Sequence, residues 1–338
     1  YIEYNQHDVR LIEMLDNKRK FLFLAITLTY MGKVKFHEIF GQVKFWDNLV
    51  YVELLKKNVQ IPPHVHKSSE GTIEGAYVKD PKPGLYKWVT AFDLTSLYPS
   101  IIMALGMSPE TIVEGATDDR ILEKLIDMQL DLSMLKAKNL SMAANGSTYD
   151  RSQNGIMPEI TANMFAGRKA YKNKMLDKKR EAEAVKKEME TNRSGDLKTK
   201  LKQLDNEISS FDAMQNAFKI ALNSLYGAQA NEHFRYYDPN IAEGITLTGQ
   251  LVIRFISNRV NDFLNDRLKT EGVDYVCAND TDSMYLVLDS LVDKVCPADM
   301  DIQKKVTFVD KFSATYIQPF LDQEFGRLAD YLNCVENK

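Results

Sequence analysis

Cysteine is scarce in this sequence of 338 residues, which contains only Cys277, Cys296 and Cys334. Their spacing matches no metal-binding pattern, and an odd, sparse set argues against a disulfide framework and for a reducing compartment. Long apolar runs are lacking too. The most apolar segment, Phe21–Met31, falls well short of the ~20 residues that a membrane-spanning helix needs, and no signal peptide precedes it. We therefore expect a buried helix there and no membrane partner.

A large excess of charge of one sign is also absent. Lys and Arg number 43 and Asp and Glu 47, a net charge of −4, so the chain is not a basic sleeve for nucleic acid and any such contact must come from a local patch. Hydrophobic residues make up 44%, which excludes a wholly disordered chain. The sequence begins at Tyr1 rather than Met, which suggests a fragment or a processed product.

Several segments place apolar residues at helical spacing. The predicted helices span 4–31, 118–138, two long stretches within 160–230, and 301–335. Residues 191–196, between the two long helices, have the composition of a turn. Two long helices joined by a short turn should pack antiparallel.

Other segments are typical of strands and turns. Residues 88–92 predict a buried strand that ends at Asp93, and a shorter strand is expected near 74–79 within the loop-rich region 59–84. Asn145-Gly146 indicates a hairpin. Residues 275–288 predict another hairpin, with an acidic tip.

Asp93 begins the first segment with chemical potential. An apolar strand delivers this carboxylate at its end, and a helix should follow, with Ser96 as N-cap and Pro99 in its first turn. The backbone amides of the first turn, at Ser96, Leu97 and Tyr98, should face an anion, because a helix N-terminus favours negative charge. The segment thus offers a metal ligand beside a phosphate seat.

Asp280 and Asp282 form the second segment. Alternation along a strand places both on one face, and two close carboxylates repel unless a cation lies between them. Ligation by oxygen alone suits Mg²⁺, which keeps waters and takes substrate phosphates as further ligands.

The third segment is one face of the second long helix. Lys219, Asn223, Tyr226 and Gly227 lie at i, i+4, i+7 and i+8, so a cation, an amide, an aromatic ring and a bare backbone patch share that face. Arg168 and Lys172 are one turn apart on the first long helix. If the helices are antiparallel, Arg168 and Lys219 can converge on one anion.

Each segment alone has a plainer interpretation. A strand-end Asp is commonly a cap or turn residue, Asp-x-Asp is common in hairpin turns, and a helical lysine is commonly solvated. Together the segments predict carboxylates that hold Mg²⁺ and a basic helix face, which is the equipment of phosphoryl or nucleotidyl transfer.

The same segments resemble the ordered motifs of family B DNA polymerases, most closely those of T-even-type bacteriophages. Asp93–Ser100 is similar to motif A, Lys219–Gly227 to motif B and Asp280–Ser283 to motif C. Glu74–Val78 resembles the element between the exonuclease and polymerase domains that contacts the template. The resemblance covers nearly the whole chain.

The resemblance implies roles for the matching positions. Asp93, Asp280 and Asp282 would be catalytic, and two Mg²⁺ ions would be held by Asp93, Asp282 and the Leu94 carbonyl. The nucleotide would be bound by Ser96, Leu97, Tyr98, Arg168, Lys172, Lys219 and Asn223. Tyr98 would lie under the sugar and exclude a 2′-OH. Contacts to the template or the nascent base pair would come from Gly75, Tyr77, Tyr226 and Gly227.

Two departures from the family pattern matter. Asn279 stands where the family usually has glycine, and Asn is the least penalised substitute if that position needs a positive φ. Of the exonuclease motifs, only Tyr4 and Asp8 match, as a remnant, and the chain stops before the family's thumb. We therefore expect no proofreading activity and weak grip on primer–template.

The implied fold class is α+β, a right-hand polymerase core with an antiparallel-sheet palm and helical-hairpin fingers. The expected domains are an exonuclease remnant (1–30), linker and first palm part (31–158), fingers (159–232) and second palm part (233–338). The implied activity is template-directed DNA synthesis, with primer–template DNA and dNTPs as partners. A thumb-containing chain and a sliding clamp are further candidate partners, and the expected location is the cytoplasm, of a host cell if viral.

Two alternatives stay open. The chain is a catalytically incomplete fragment or subunit of a split DNA polymerase, which needs a separate thumb or exonuclease chain. Alternatively it is another Mg²⁺-dependent nucleotidyltransferase, such as an RNA-copying enzyme, an interpretation that Tyr98 disfavours.

Overall fold

A computed structural model describes residues 1–64, 73–116, 121–191 and 194–335. The α-helices are α1 (Ile2–Arg19), α2 (Phe21–Gly32), α3 (Gln42–Lys56), α4 (Leu97–Leu105), α5 (Ile121–Ile126), α6 (Ser133–Lys138), α7 (Ile156–Thr191), α8 (Gly195–Gln229), α9 (Pro239–Leu268), α10 (Asp289–Val295), α11 (Ile302–Phe312) and α12 (Gln318–Tyr331). A 3₁₀-helix covers Phe36–Phe40, and a π-helical turn at Ser313–Ile317 joins α11 to α12. Among these residues no helix is both long and apolar enough to cross a bilayer.

The strands form two small antiparallel sheets. They are β1 (Val78–Lys79), β2 (Val89–Asp93), β3 (Ile112–Glu114), β4 (Leu140–Met142), β5 (Thr148–Asp150), β6 (Val276–Asp280) and β7 (Ser283–Val287). The sheet orders are β1-β6-β7-β2 and β3-β5-β4. Helices with separate antiparallel sheets make an α+β architecture, which confirms that part of the predicted class.

The chain divides into two compact units. One comprises residues 1–66 and 159–236 and is helical where described; the other comprises 67–158 and 237–338 and contains both sheets. The domain boundaries expected from the sequence stay a prediction.

The core of the sheet-containing unit lies between α9, the β6–β7 hairpin and the C-terminal helices. Its most deeply buried members include Ile253, Val260, Leu286 and Leu288, each 0% exposed. The hairpins predicted at 275–288 and around Asn145-Gly146 are both confirmed, as β6–β7 and β4–β5.

The predicted single helix over 4–31 is wrong. The chain breaks at Lys20, which adopts a left-handed conformation with φ 56°. The Asp16 side chain accepts a hydrogen bond from Leu22 N at 2.9 Å, and such bonds from a short acidic side chain to nearby backbone compete with the helix ladder. The expected burial of 21–31 is also wrong, because Phe21 and Leu22 are 56% and 58% exposed.

Two further expectations need correction. The strand β2 is not buried: it lies at the sheet edge, and Val89 is 45% exposed. The helix expected at 118–138 is two short helices, since Met128 has φ 53° and the chain turns there. Residues 118–120 of that prediction, 65–72 of the predicted loop region and 192–193 of the predicted turn lie outside the described residues.

Candidate active site

The acidic tip of the β6–β7 hairpin is a tight turn. Asp280 pairs with Ser283, and Thr281 takes a left-handed conformation with φ 55°. The expected alternation of Asp280 and Asp282 along a strand is therefore wrong, because the chain reverses between them. Positive φ falls on Thr281 and not on Asn279, which lies inside β6. The reason expected for glycine at position 279 does not apply here.

Asp93 lies beside this turn because β2 pairs with β7. The register sets Asp93 opposite Ser283, and Leu94 N donates a hydrogen bond to Asp282 O at 2.8 Å. Ser283 Oγ lies 3.5 Å from Asp93 Oδ1. Asp93, at the end of β2, thus lies beside Asp282 of the turn, although the two differ by 189 in sequence number.

The pKa of Asp282 reflects its closeness to Asp93. Burial raises the pKa of Asp282 most, and the nearby Asp93 carboxylate raises this pKa further, with a smaller effect of Asp280. A cation between Asp93 and Asp282 would relieve both penalties.

The donor set fits Mg²⁺, which needs one or two carboxylates and completes its shell with waters and phosphates. In the described part of the chain, no three His, Cys, Asp or Glu side chains cluster closely enough to hold a metal ion. Asp93 and Asp282 therefore stay the predicted ligand pair, and Asp280 is an exposed neighbour whose Oδ1 accepts from Thr281 Oγ1 at 3.1 Å.

Ser96 occupies the predicted N-cap position of the helix after Asp93, but it does not cap the helix with its side chain. Helix α4 begins at Leu97 with Ser96 at the N-cap position, but Ser96 is left-handed (φ 53°) and its side chain does not cap the helix. An N-cap residue normally uses extended backbone to aim its side chain at the first turn. Here the left-handed backbone prevents this.

Tyr98 in the first turn of α4 packs against Gly249 of α9. A Cβ atom on Gly249 would lie 3.0 Å from Tyr98 Cε1, so glycine makes room for the ring. Gly249 was not singled out from the sequence, although an isolated glycine within a helical pattern is a signal for such close packing.

Residues 74–77 are held against α9 and against the acidic turn. Gln250 Nε2 donates to Glu74 Oε1 at 2.9 Å and to Gly75 O at 2.8 Å. The Arg254 guanidinium lies 5.4 Å from the centre of the Tyr77 ring. Tyr77 O accepts a hydrogen bond from Thr281 N at 3.1 Å. The sequence interpretation missed the supporting Gln250, whose partners are 175 or more residues away.

In the helical unit, α7 and α8 form the predicted antiparallel pair. The Gly167 backbone packs against the Phe218 ring, the Tyr171 ring stacks on Phe218 with 5.9 Å between centroids, and Lys178 pairs with Glu207 at 3.2 Å. As the residue numbers of these contacts increase along α7, the numbers of their partners decrease along α8, so the two helices are antiparallel.

The predicted nucleotide-binding residues of this pair lie near the Gly167–Phe218 contact. Arg168 and Lys219 each follow one of the contacting residues in sequence. Lys172, Lys219 and Asn223 are exposed, and Arg168 is partly buried.

The end of α8 rests on α3. Trp46 is fully buried and its Nε1 donates to Ser224 Oγ at 3.0 Å. Gln42 covers Gly227 and leaves no room for a Cβ atom, so the predicted bare backbone patch is occupied. Tyr226 is half-buried, and burial raises its pKa.

Tyr4 and Asp8 lie one turn apart on the exposed helix α1. They join no other acidic residues into a metal-binding cluster among the described residues. Their interpretation as an exonuclease remnant stays a prediction.

Paired carboxylates beside the turn of an antiparallel sheet define a candidate divalent-cation site of the class that phosphoryl transfer uses. The model of the family described as DNA polymerase family B matches residues 47–193 and 191–308. The chain belongs to this family.

Relatives agree with this assignment. The chain is 33% identical to the DNA-directed DNA polymerase of Escherichia phage RB69, over 98% of this chain and 39% of the relative. Identity to the DNA-directed DNA polymerase of Enterobacteria phage T4 is also 33%, over 100% of this chain and 40% of the relative. The chain is 28% identical to the DNA polymerase delta catalytic subunit of Drosophila melanogaster, over 68% of this chain and 18% of the relative. The chain thus spans about two fifths of the phage relatives' length.

A solved structure shows the same fold. The family B DNA polymerase of the hyperthermophilic archaeon Pyrobaculum calidifontis matches with a TM-score of 0.51 and 20% identity, over 83% of this chain and 31% of that chain.

Proposed function

We propose that this chain is the palm and fingers portion of a template-directed DNA polymerase that adds deoxynucleotides to a primer 3′-OH. In this proposal the sheet-containing unit supplies the palm and the α7–α8 pair supplies the fingers. The apposition of Asp93 and Asp282 across β2 and β7 carries the proposal. Membership of a polymerase family supports it.

The proposed chemistry assigns each residue a role. Asp93 and Asp282, with the Leu94 carbonyl, would hold two Mg²⁺ ions, and Asp280 would add negative charge beside them. Bound Mg²⁺ would supply Lewis-acid activation and charge neutralisation for the transfer. Arg168, Lys172, Lys219 and Asn223 would bind the triphosphate, together with the Ser96 and Leu97 amides. Their cationic and N–H groups neutralise phosphate charge and orient it for in-line attack.

Base-pair and sugar contacts complete the proposal. Gly75 and Tyr77 would contact the template, and Tyr226 and Gly227 the nascent base pair. The Tyr98 ring would select deoxynucleotides. Its packing against Gly249 supports this role, because a side chain at position 249 would crowd the ring. A Tyr98→Ala variant should incorporate ribonucleotides at least ~10-fold better relative to deoxynucleotides. An unchanged ratio would contradict the steric role.

The test of activity is primer extension with Mg²⁺, dNTPs and a primed template. Wild type should extend the primer, Asp93→Asn should not, and the exposed Asp299→Asn should match wild type. Equal extension by all three would contradict the site.

A second candidate is an incomplete subunit that needs a separate thumb or exonuclease chain, with a sliding clamp as a further partner. The exposed apolar side chains of α2 favour it. It predicts no extension until a thumb-containing chain is added, and tighter DNA binding in its presence. In either case the proposed location is the cytoplasm, of the host cell if the chain is viral.

A further inference from the structure

Asn279, directly before Asp280, is a buried polar residue in an apolar core. It is 2% exposed, and its backbone pairs with Lys79 of β1 and Met284 of β7. Asn279 Nδ2 donates to Ser257 Oγ of α9 at 3.0 Å, and Ser257 Oγ donates to Ile253 O at 2.6 Å. The directions are consistent, since the serine hydroxyl can give its one proton to Ile253 O, or to Met284 Sδ at 3.6 Å, while a lone pair accepts from Asn279.

The remaining polar atom of this amide is unsatisfied. Among the described residues Asn279 Oδ1 accepts no hydrogen bond, although it is buried. A buried acceptor without a partner is destabilising. Stability alone therefore does not explain an amide here, and the feature that the amide adds is its directional bond to Ser257.

Ser257 belongs to a stripe on α9 that faces the acidic turn. Gln250, Arg254 and Ser257 lie at i, i+4 and i+7, which is one helix face. Gln250 and Arg254 hold residues 74–77, whose Tyr77 O accepts from Thr281 N inside the turn. The stripe thus reaches the turn twice, through Tyr77 and through Asn279.

We propose that the Ser257–Asn279 hydrogen bond is a tether that fixes the acidic turn on α9, so that Asp282 stays beside Asp93. Asn279 and Ser257 are then positioning residues. Glycine, which the family usually has at position 279, would lack this tether. The inference rests on the proposed function, because it assumes that the two carboxylates bind a divalent cation.

The test measures binding of Mn²⁺ alone by electron paramagnetic resonance, beside the Mg²⁺ dependence of single-nucleotide incorporation. Ser257→Ala and Asn279→Gly should each weaken Mn²⁺ affinity about 10-fold, the lower end of the effect of supporting residues around metal ligands. The Mg²⁺ concentration for half-maximal rate should rise similarly, while the rate at saturating Mg²⁺ recovers. Ser257→Thr keeps the hydroxyl and should retain the affinity.

Ser313→Ala is the matched control, because it removes another buried hydroxyl, in the π-helical turn, whose Oγ lacks a hydrogen-bond partner among the described residues. It should leave Mn²⁺ affinity unchanged. A purely structural role of Ser257 would lower the unfolding temperature without changing the affinity of the folded protein, which would overturn the tether. If Ser257→Ala does not fold, Asn279→Gly decides, since it leaves no buried amide unpaired.

Asp282→Asn separates this inference from the proposed function. If Asp282→Asn loses Mn²⁺ binding but Asn279→Gly and Ser257→Ala bind normally, the tether is wrong and the site stands. If Asp282→Asn binds Mn²⁺ as wild type does, the metal site itself is wrong, and the tether falls with it.

Discussion

Behind the acidic turn lies an apolar core of sixteen buried residues, whereas the outer part of the α7–α8 pair encloses a cluster of three, Ala182, Val185 and Leu204. The turn is also tied by hydrogen bonds from three sides, by Leu94, Tyr77 and Ser257. The outer helix pair relies on a few ring contacts and on ion pairs such as Lys178–Glu207. Exposed ion pairs contribute little, so the pair should open locally at much lower free energy than the core.

This difference matches the chemistry proposed for each region. Carboxylates that share a cation must keep their spacing, and a rigid sheet does this. Cationic side chains that capture and release a charged substrate gain from a support that can move. Rigidity and mobility are therefore assigned to different elements, and each can be altered separately.

The largest effect is expected from Leu286→Ala in β7. Leu286 is 0% exposed in the large core, and truncation of a buried leucine costs about 3–4 kcal/mol in the free energy of unfolding. Chemical denaturation of the whole chain, followed in its sheet-containing unit, measures this loss of unfolding free energy. A loss below about 1 kcal/mol would contradict the tight packing assigned to this core.

Lys219→Met tests the cationic side chains that the α7–α8 pair contributes to the proposed triphosphate site. Loss of one phosphate-binding cation should lower kcat/KM for the nucleotide about 10²-fold, chiefly through KM if binding is affected before chemistry. Lys200→Met, exposed on the same helix, is the control and should match wild type. Lys172→Met should have a weaker effect than Lys219→Met. Equal effects of Lys219→Met and Lys200→Met would show that general charge matters and not this position.

Leu204→Ala is the counterpart of Leu286→Ala in the helix pair. Leu204 is 5% exposed, but its cluster is small and can collapse, so we expect a loss of about 2 kcal/mol. Hydrogen exchange should quicken in α7 and α8 and stay unchanged in β6 and β7. Quickened exchange throughout both units would contradict separate stabilities.

The smallest effect concerns acid stability at Asp274, just before β6. Burial would raise the pKa of Asp274, but hydrogen bonds from Lys79, Lys82 and Asn261 outweigh it and lower this pKa to about 2. A carboxylate with a lowered pKa stabilises the fold above its unfolded pKa and loses this contribution as the pH falls toward 2. Wild type should exceed Asp274→Asn by about 1 kcal/mol at pH 6, allowing for solvent screening. The difference should shrink as the pH falls below 3.8, the ordinary pKa of the carboxyl, and should vanish only below pH 2. A difference that stays constant down to pH 2 would contradict the ion-pair role.

The sequence predicted those elements whose signal is local. The ends of β2 and of the β6–β7 hairpin located Asp93 and Asp282, and the apolar period of 160–230 predicted two antiparallel helices. The break at Lys20 was missed because it depends on a backbone bond to the Asp16 side chain.

Contacts between residues far apart in sequence could not be predicted from a local sequence pattern. Gln250 and Ser257 look like ordinary polar residues of a helix, and their roles appear only when β6 and residues 74–77 pack against α9. Asn279 was interpreted as a substitute for glycine at a position that needs a positive φ, but its place inside β6 makes it a buried hydrogen-bond donor. The roles of all three residues depend on tertiary contacts.

The most direct test of the central claim is single-nucleotide primer extension by this chain and by its Asp282→Asn variant, at matched protein and DNA concentrations with saturating Mg²⁺. The account predicts that wild type extends the primer and that the variant is slower by on the order of 10³-fold. Extension at equal rates would contradict it, because the carboxylate beside Asp93 would then have no part in the reaction.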